Sequence, residues 1–155
     1  MKSAIEGVSV KAVVDTNIWV SALVAPFGSA AKLIELWKIG KFKLIISELQ
    51  TSELYEVLSR SQFTTKYRID EKKVEDLIVS IIENAEHILL EKSAISCCRD
   101  PDDDIIIETA IRGKAKYLIT GDKDITNDKT VLSFLSRHGV SVISLSRFLA
   151  VIDKA

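Results

Sequence analysis

Short β-branched apolar runs alternate along this chain with longer stretches of helical periodicity, and that alternation constrains its fold more than any other feature. Ala12-Val13-Val14, Leu44-Ile45-Ile46, Ile88-Leu89-Leu90, Tyr117-Leu118-Ile119 and Val140-Ser141-Val142-Ile143 read as short buried strands. Runs this apolar suit strands covered on both faces. The helical stretches between them have recognisable ends. Ser47 begins one, and Gln50 three residues later completes a capping box. Asp70 caps the next, in which Val74, Leu77, Ile78, Ile81, Ile82 and Ala85 form an amphipathic stripe. Asp100-Pro101 opens another with proline at the first helical position, and Gly113 stops it. A further helix runs from about Thr130 to His138 and ends at Gly139, and Ser146 is a candidate cap for a last one. Strands that alternate with helices imply crossover connections and a mostly parallel sheet. The expected fold is a three-layer α/β/α sandwich on about five parallel strands. The polar stretch from Arg60 to Asp70, with Lys66 and Arg68, reads as a mobile loop that could meet phosphate.

A length of 155 residues suits one domain, with residues 1–10 as an N-terminal extension and 11–152 as the core. The formal net charge of -1 lacks the basic excess of a DNA-coating protein. Cys97 and Cys98 are adjacent, too close for an unstrained bridge, so a reducing compartment is expected. No apolar run approaches the ~20 residues that span a bilayer, and the first residues lack a leader pattern. The expectation is a soluble, cytoplasmic protein. No Gly-x-Ser-x-Gly, P-loop or dinucleotide pattern occurs. His87 and His138 read as surface or strand-edge residues, and Trp19 and Trp37 as core or dimer-interface residues.

Four carboxylates stand out by position. Asp15 follows the first strand directly, where open parallel sheets bind ligands; it could equally cap the helix that follows. Asp122 repeats that arrangement in Thr120-Gly121-Asp122-Lys123-Asp124, with an ordinary turn role as the alternative and Asp124 as a competitor. Glu53 shares a face with Leu49 and Val57 at i±4, so it projects from an apolar arc, whereas Glu48 and Glu56 fall outside it. A carboxylate there needs compensation, by a basic partner or by a metal ion. Asp103 precedes Ile106, Ile107 and Ala110 on one buried face, with Asp104 at its edge and Glu108 outside. The helix dipole is a sufficient account of the acids around Asp103, so a capping role with Asp100 stays open. Should the four converge on one crevice, they would repel one another unless a hard divalent cation such as Mg²⁺ neutralised them.

In order, Val13-Val14-Asp15-Thr16-Asn17-Ile18, the stretch Ser47 to Leu58, Arg99-Asp100-Pro101-Asp102-Asp103-Asp104 and Tyr117 to Asp124 resemble the PIN-domain family. The resemblance is closest to the VapC-like toxin components of toxin–antitoxin pairs and runs from about Lys11 to Ile152. It implies a five-stranded parallel sheet, homodimers and metal-dependent endoribonuclease activity with Mg²⁺ or Mn²⁺. It assigns the family's four acids to Asp15, Glu53, Asp103 and Asp122, with Asn17, Thr120 and Asp104 supporting them. It also implies single-stranded RNA as substrate and an antitoxin protein as partner. Lys66, Arg68, Lys123 and Lys129 are phosphate-contact candidates by loop position. Three competing readings remain: a PIN nuclease of RNA processing or decay, an acid-cluster phosphohydrolase and a non-catalytic interaction module. The phospho-acceptor version of the second is disfavoured because Asn17 stands where a second aspartate is usual.

Overall fold

Strand segments of three to five residues with side chains alternating between faces can bury both faces only if helices cover both. The computed structural model, which describes residues 9–90 and 101–153, has this arrangement. β1 (Lys11–Val14), β2 (Lys43–Ser47), β3 (Glu86–Ile88), β4 (Tyr117–Ile119) and β5 (Ser141–Ile143) form one sheet in the order β3-β2-β1-β4-β5. Every pairing is parallel, with Val13 opposite Leu118 and Leu118 opposite Val142. The order reverses at β1, so the crevice at the strands' carboxyl ends opens between β1 and β4.

Alternation along each strand divides the core in two. Ala12, Val14, Leu44, Ile46 and Ile119 face one side. There they meet α1 (Thr16–Val24), α2 (Ser29–Lys38), α3 (Glu48–Leu58), α5 (Glu71–Asn84) and α9 (Leu145–Asp153). Val13, Ile45 and Leu118 face the other, against α6 (Pro101–Arg112), α7 (Lys123–Thr126) and α8 (Lys129–Arg137). Each fully buried aliphatic side chain contributes about 1.5–3 kcal/mol of transfer free energy. Trp19 and Trp37 belong to the first cluster, edge to face with centroids 5.8 Å apart, so both are core residues.

The caps explain most boundaries. Ser47 Oγ accepts from Gln50 N, Asp70 Oδ1 from Lys72 N, and Asp128 Oδ1 from Thr130 N and Val131 N. Gly139, at φ 79°, closes α8 in a conformation that costs glycine little. Gly113, just past α6, is needed for a different reason: a Cβ there would collide with Ile45 on β2, so the backbone at that point lies too close to the sheet for a side chain.

The structure corrects several expectations. β3 begins two residues earlier than the apolar run suggests, and Leu89 is 64% exposed while Leu90 is buried. Ile82 is 57% exposed, so the buried stripe of α5 is Val74, Leu77, Ile78 and Ile81. Ser144, not Ser146, offers the hydroxyl at the start of α9, accepting from Arg147 N. The stretch from Arg60 to Asp70 is not a loop but contains α4 (Ser61–Tyr67), which ends on Arg68 in the left-handed region. Phe63 and Tyr67, one turn apart, bring their rings to 5.2 Å and stabilise that short helix locally. Asp100, Cys97 and Cys98 lie outside the described residues. Among the described residues no single helix is long and apolar enough to cross a membrane.

Candidate metal centre

Because all five strands are parallel, the residues that follow β1 and β4 emerge at the same end of the sheet. Asp15 and Thr120 are those residues. Thr120 is fully buried, and its hydroxyl donates to Asp15 Oδ2 at 2.6 Å. The same Oγ accepts from Asp122 N at 3.0 Å, so one side chain ties the two strand-end acids together. Asp15 Oδ1 accepts from Asn17 N at 3.1 Å. Asp15 therefore caps α1 and also faces the crevice; its two readings coexist in one carboxylate. Asn17 takes part through its backbone, and its side chain is exposed.

Asp122 is half-buried and caps α7, accepting from Asp124 N at 2.9 Å. That turn folds Asp124 back toward Asp122. Across the crevice Asp103 sits in the first turn of α6, only 6% exposed. Among the described residues, Asp103, Asp122 and Asp124 form a group whose ligand oxygens all lie within 4.8 Å of one another. The structure thus brings together two of the four acids singled out by position and recruits Asp124, the competitor, as a third. Asp15 stands outside that group but is joined to Asp122 through Thr120.

Glu53 lies on α3, which packs against α6, and it is half-buried. The most buried line of α3 is not the one through Leu49, Glu53 and Val57 but the next, Gln50, Leu54 and Leu58, all at 2% exposure or less. Glu53 therefore sits on the flank of the helix. Gln50 explains the shift. It completes only half of the expected capping box, through its backbone N–H to Ser47 Oγ. Its side chain turns instead to β1, where Nε2 donates to Val14 O at 2.7 Å. That bond joins the helix carrying Glu53 to the strand carrying Asp15. A glutamine on the buried stripe was the available signal for this tether.

Asp104 and Glu108 also differ from expectation: at 6% and 2% exposure they are as buried as Asp103. Helical periodicity distinguishes one covered face from one open face, but α6 is covered by the sheet and also by α3. Glu108 meets Arg112 Nε at 2.8 Å one turn along. Of the cationic candidates, Lys123 borders the same recess as Thr120 and Gly121, and Lys129 begins α8 beside it. Lys66 lies over the Tyr67 ring at 5.2 Å, and Arg68 ends α4.

Three carboxylates this close repel one another, and burial of Asp103 weakens the screening that water would supply. Their donor set is hard oxygen only, the chemistry that Mg²⁺, Mn²⁺ and Ca²⁺ select. The exposed member, Asp124, leaves one side open to water and substrate. The residues present fit a hard divalent cation.

Comparison with known proteins gives a family and two relatives. A family model described as PIN domain matches residues 11–124. An uncharacterized protein of Methanocaldococcus jannaschii is 31% identical over 137 residues, covering 87% of this chain and 85% of that protein. A PilT N-terminus domain protein from the hyperthermophilic archaeon Sulfolobus solfataricus superposes with a TM-score of 0.47 at 22% identity, covering 92% of each chain.

Proposed function

The chain belongs to the PIN-domain family, and from that premise we propose that it is a divalent-metal-dependent endoribonuclease. The observation that carries the reading is the convergence of Asp103, Asp122 and Asp124 at the crevice, with Asp15 tied to them through Thr120. Asp15, Asp103 and Asp122 hold the cation, Mg²⁺ or Mn²⁺. Glu53 binds it or positions the attacking water, and Asp104 and Asp124 supplement the cluster's charge. A divalent cation bound there supplies the positive charge that activates water and stabilises the leaving oxygen of a phosphodiester. Thr120 orients the Asp15 carboxylate and holds the backbone at Asp122, and Gln50 fixes α3 against β1. Lys123 and Lys129 meet flanking phosphates, with Lys66 and Arg68 as more distant contacts.

Single-stranded RNA is the substrate this open crevice suits, since an unpaired strand can lay its backbone across the acids and splay its bases to the sides. We assign the chain to the toxin side of a toxin–antitoxin pair on the VapC-like order of its motifs, acting as a cytoplasmic homodimer with an antitoxin protein as partner. The neighbouring Cys97 and Cys98 support a reducing compartment. Val79 and Ile82, one turn apart on α5 and 49% and 57% exposed, are apolar surface that a second copy would cover.

The test is incubation of the purified protein with an end-labelled, randomised single-stranded RNA pool in Mn²⁺, Mg²⁺ or EDTA, beside Asp15→Asn. Cleavage is expected with either metal, none in EDTA, and very little from the variant. A parent protein that leaves the whole pool intact in both metals would overturn the reading.

A further inference from the structure

Beside the acid cluster lies a recess of about 390 Å³ between the end of β4, α7, α8 and β5. Thr120 and Gly121 form its inner edge, so it opens next to the residue that ties Asp15 to Asp122. Its volume falls in the range of roughly 300–1,000 Å³ usual for small-molecule sites. One wall is aliphatic: Leu132 and Val142 line it from the face that α8 covers, and each keeps part of its surface open. The opposite rim is polar, with Lys123, Thr126 and Asn127. Lys123 and Asn127 also line a second, polar recess that continues to Lys129. Asp128 borders that second recess, but its carboxylate is turned into α8 as the helix cap. Asp124 borders it as well and faces the acid cluster.

We propose that this recess is a nucleobase subsite, holding the base of a nucleotide that flanks the phosphodiester at the acid cluster. The chemistry of the two walls argues for a base. A flat, apolar π-face buries against the Leu132 and Val142 side chains, as extruded bases do between apolar groups elsewhere. The Asn127 amide carries a donor and an acceptor side by side, the pattern that pairs with a base edge. Lys123 lines both recesses, and Asp124 of the acid cluster shares the second with it, so a phosphate there would meet the lysine's ammonium group. The continuation toward Lys129 takes the next phosphate along the strand. The inference rests on the nuclease reading and adds to it a determinant of which bases flank the cut.

The experiment does not depend on cleavage. Methyl-labelled full-length protein in EDTA is titrated with the four nucleoside 5′-monophosphates and, separately, with ribose 5-phosphate, which lacks the base. The expected result is movement of the Leu132 and Val142 methyl resonances with at least one monophosphate at millimolar concentration. Ribose 5-phosphate should leave them unmoved. Asn127→Ala, an exposed position, should weaken the preferred monophosphate about tenfold, the scale of one lost bidentate base contact. Equal shifts with ribose 5-phosphate would make the recess an anion site and overturn the proposal. So would four monophosphates that move no methyl of these two residues. Cleavage of the RNA pool by a protein that fails this titration would reject the subsite and leave the nuclease reading standing. A positive titration without cleavage would do the reverse.

Discussion

Asp103→Asn is expected to lower metal-dependent RNA cleavage by on the order of a thousand-fold, the several kcal/mol that a positioned cation contributes to phosphodiester hydrolysis. The variant keeps the shape of the side chain, removes its charge and replaces one acceptor oxygen by an amide donor. Asp103 is 6% exposed and shares a 4.8 Å group with Asp122 and Asp124. In the metal-free protein that group concentrates like charge around a carboxylate only 6% exposed, a repulsion that the amide relieves in part. Removing one charge should therefore raise the melting temperature measured in EDTA while abolishing the further rise that Mn²⁺ gives the parent. Stability and activity move in opposite directions, as they do where a site stores electrostatic strain. A variant that cut RNA as fast as the parent would remove Asp103 from the centre. A lower melting temperature in EDTA would show that the carboxylate serves the fold and not the cation.

The second large effect belongs to a residue that need not touch the substrate. Thr120→Val replaces a buried hydroxyl by a methyl group of nearly the same volume. It deletes the donor to Asp15 Oδ2 and the acceptor for Asp122 N together. Leaving such buried partners unmatched costs about 1–3 kcal/mol of stability. Loss of an outer hydrogen bond to a metal ligand costs roughly 10–100-fold in metal affinity or activity. Thr120→Ser restores the hydroxyl and should recover most of the metal affinity measured by calorimetry. If valine and serine behaved alike, packing at this position would be the cause and the tie between the two acids would be irrelevant.

Much of this architecture is legible in the sequence because its signals are local. A strand followed by an acid and a turn marks Asp15 and Asp122, and an acid on an apolar helix face marks Asp103. What escapes has non-local causes. The partner of Gln50 is Val14, 36 residues away, so a local capping pattern could supply only half of its hydrogen bonds. That tether rotates α3 so that Gln50, Leu54 and Leu58 face inward and Glu53 sits to one side. Periodicity also could not separate Asp103 from Asp104 and Glu108, because α3 covers a face of α6 that the sheet leaves open. Asp124 was visible only as a rival, since its place in the cluster depends on how tightly the turn after β4 folds. α4 escaped for another reason: it buries no residue fully, so no apolar stripe announces it.

The proposed function requires that the acids at the carboxyl end of the sheet hold a divalent cation. Crystals grown with Mn²⁺ and measured for anomalous scattering test it most directly. One strong anomalous peak is expected at the crevice between β1 and β4, within about 2.0–2.6 Å of carboxylate oxygens from Asp103 and Asp122. A map at saturating Mn²⁺ with no peak there, or with its full-occupancy peak elsewhere on the chain, would contradict it.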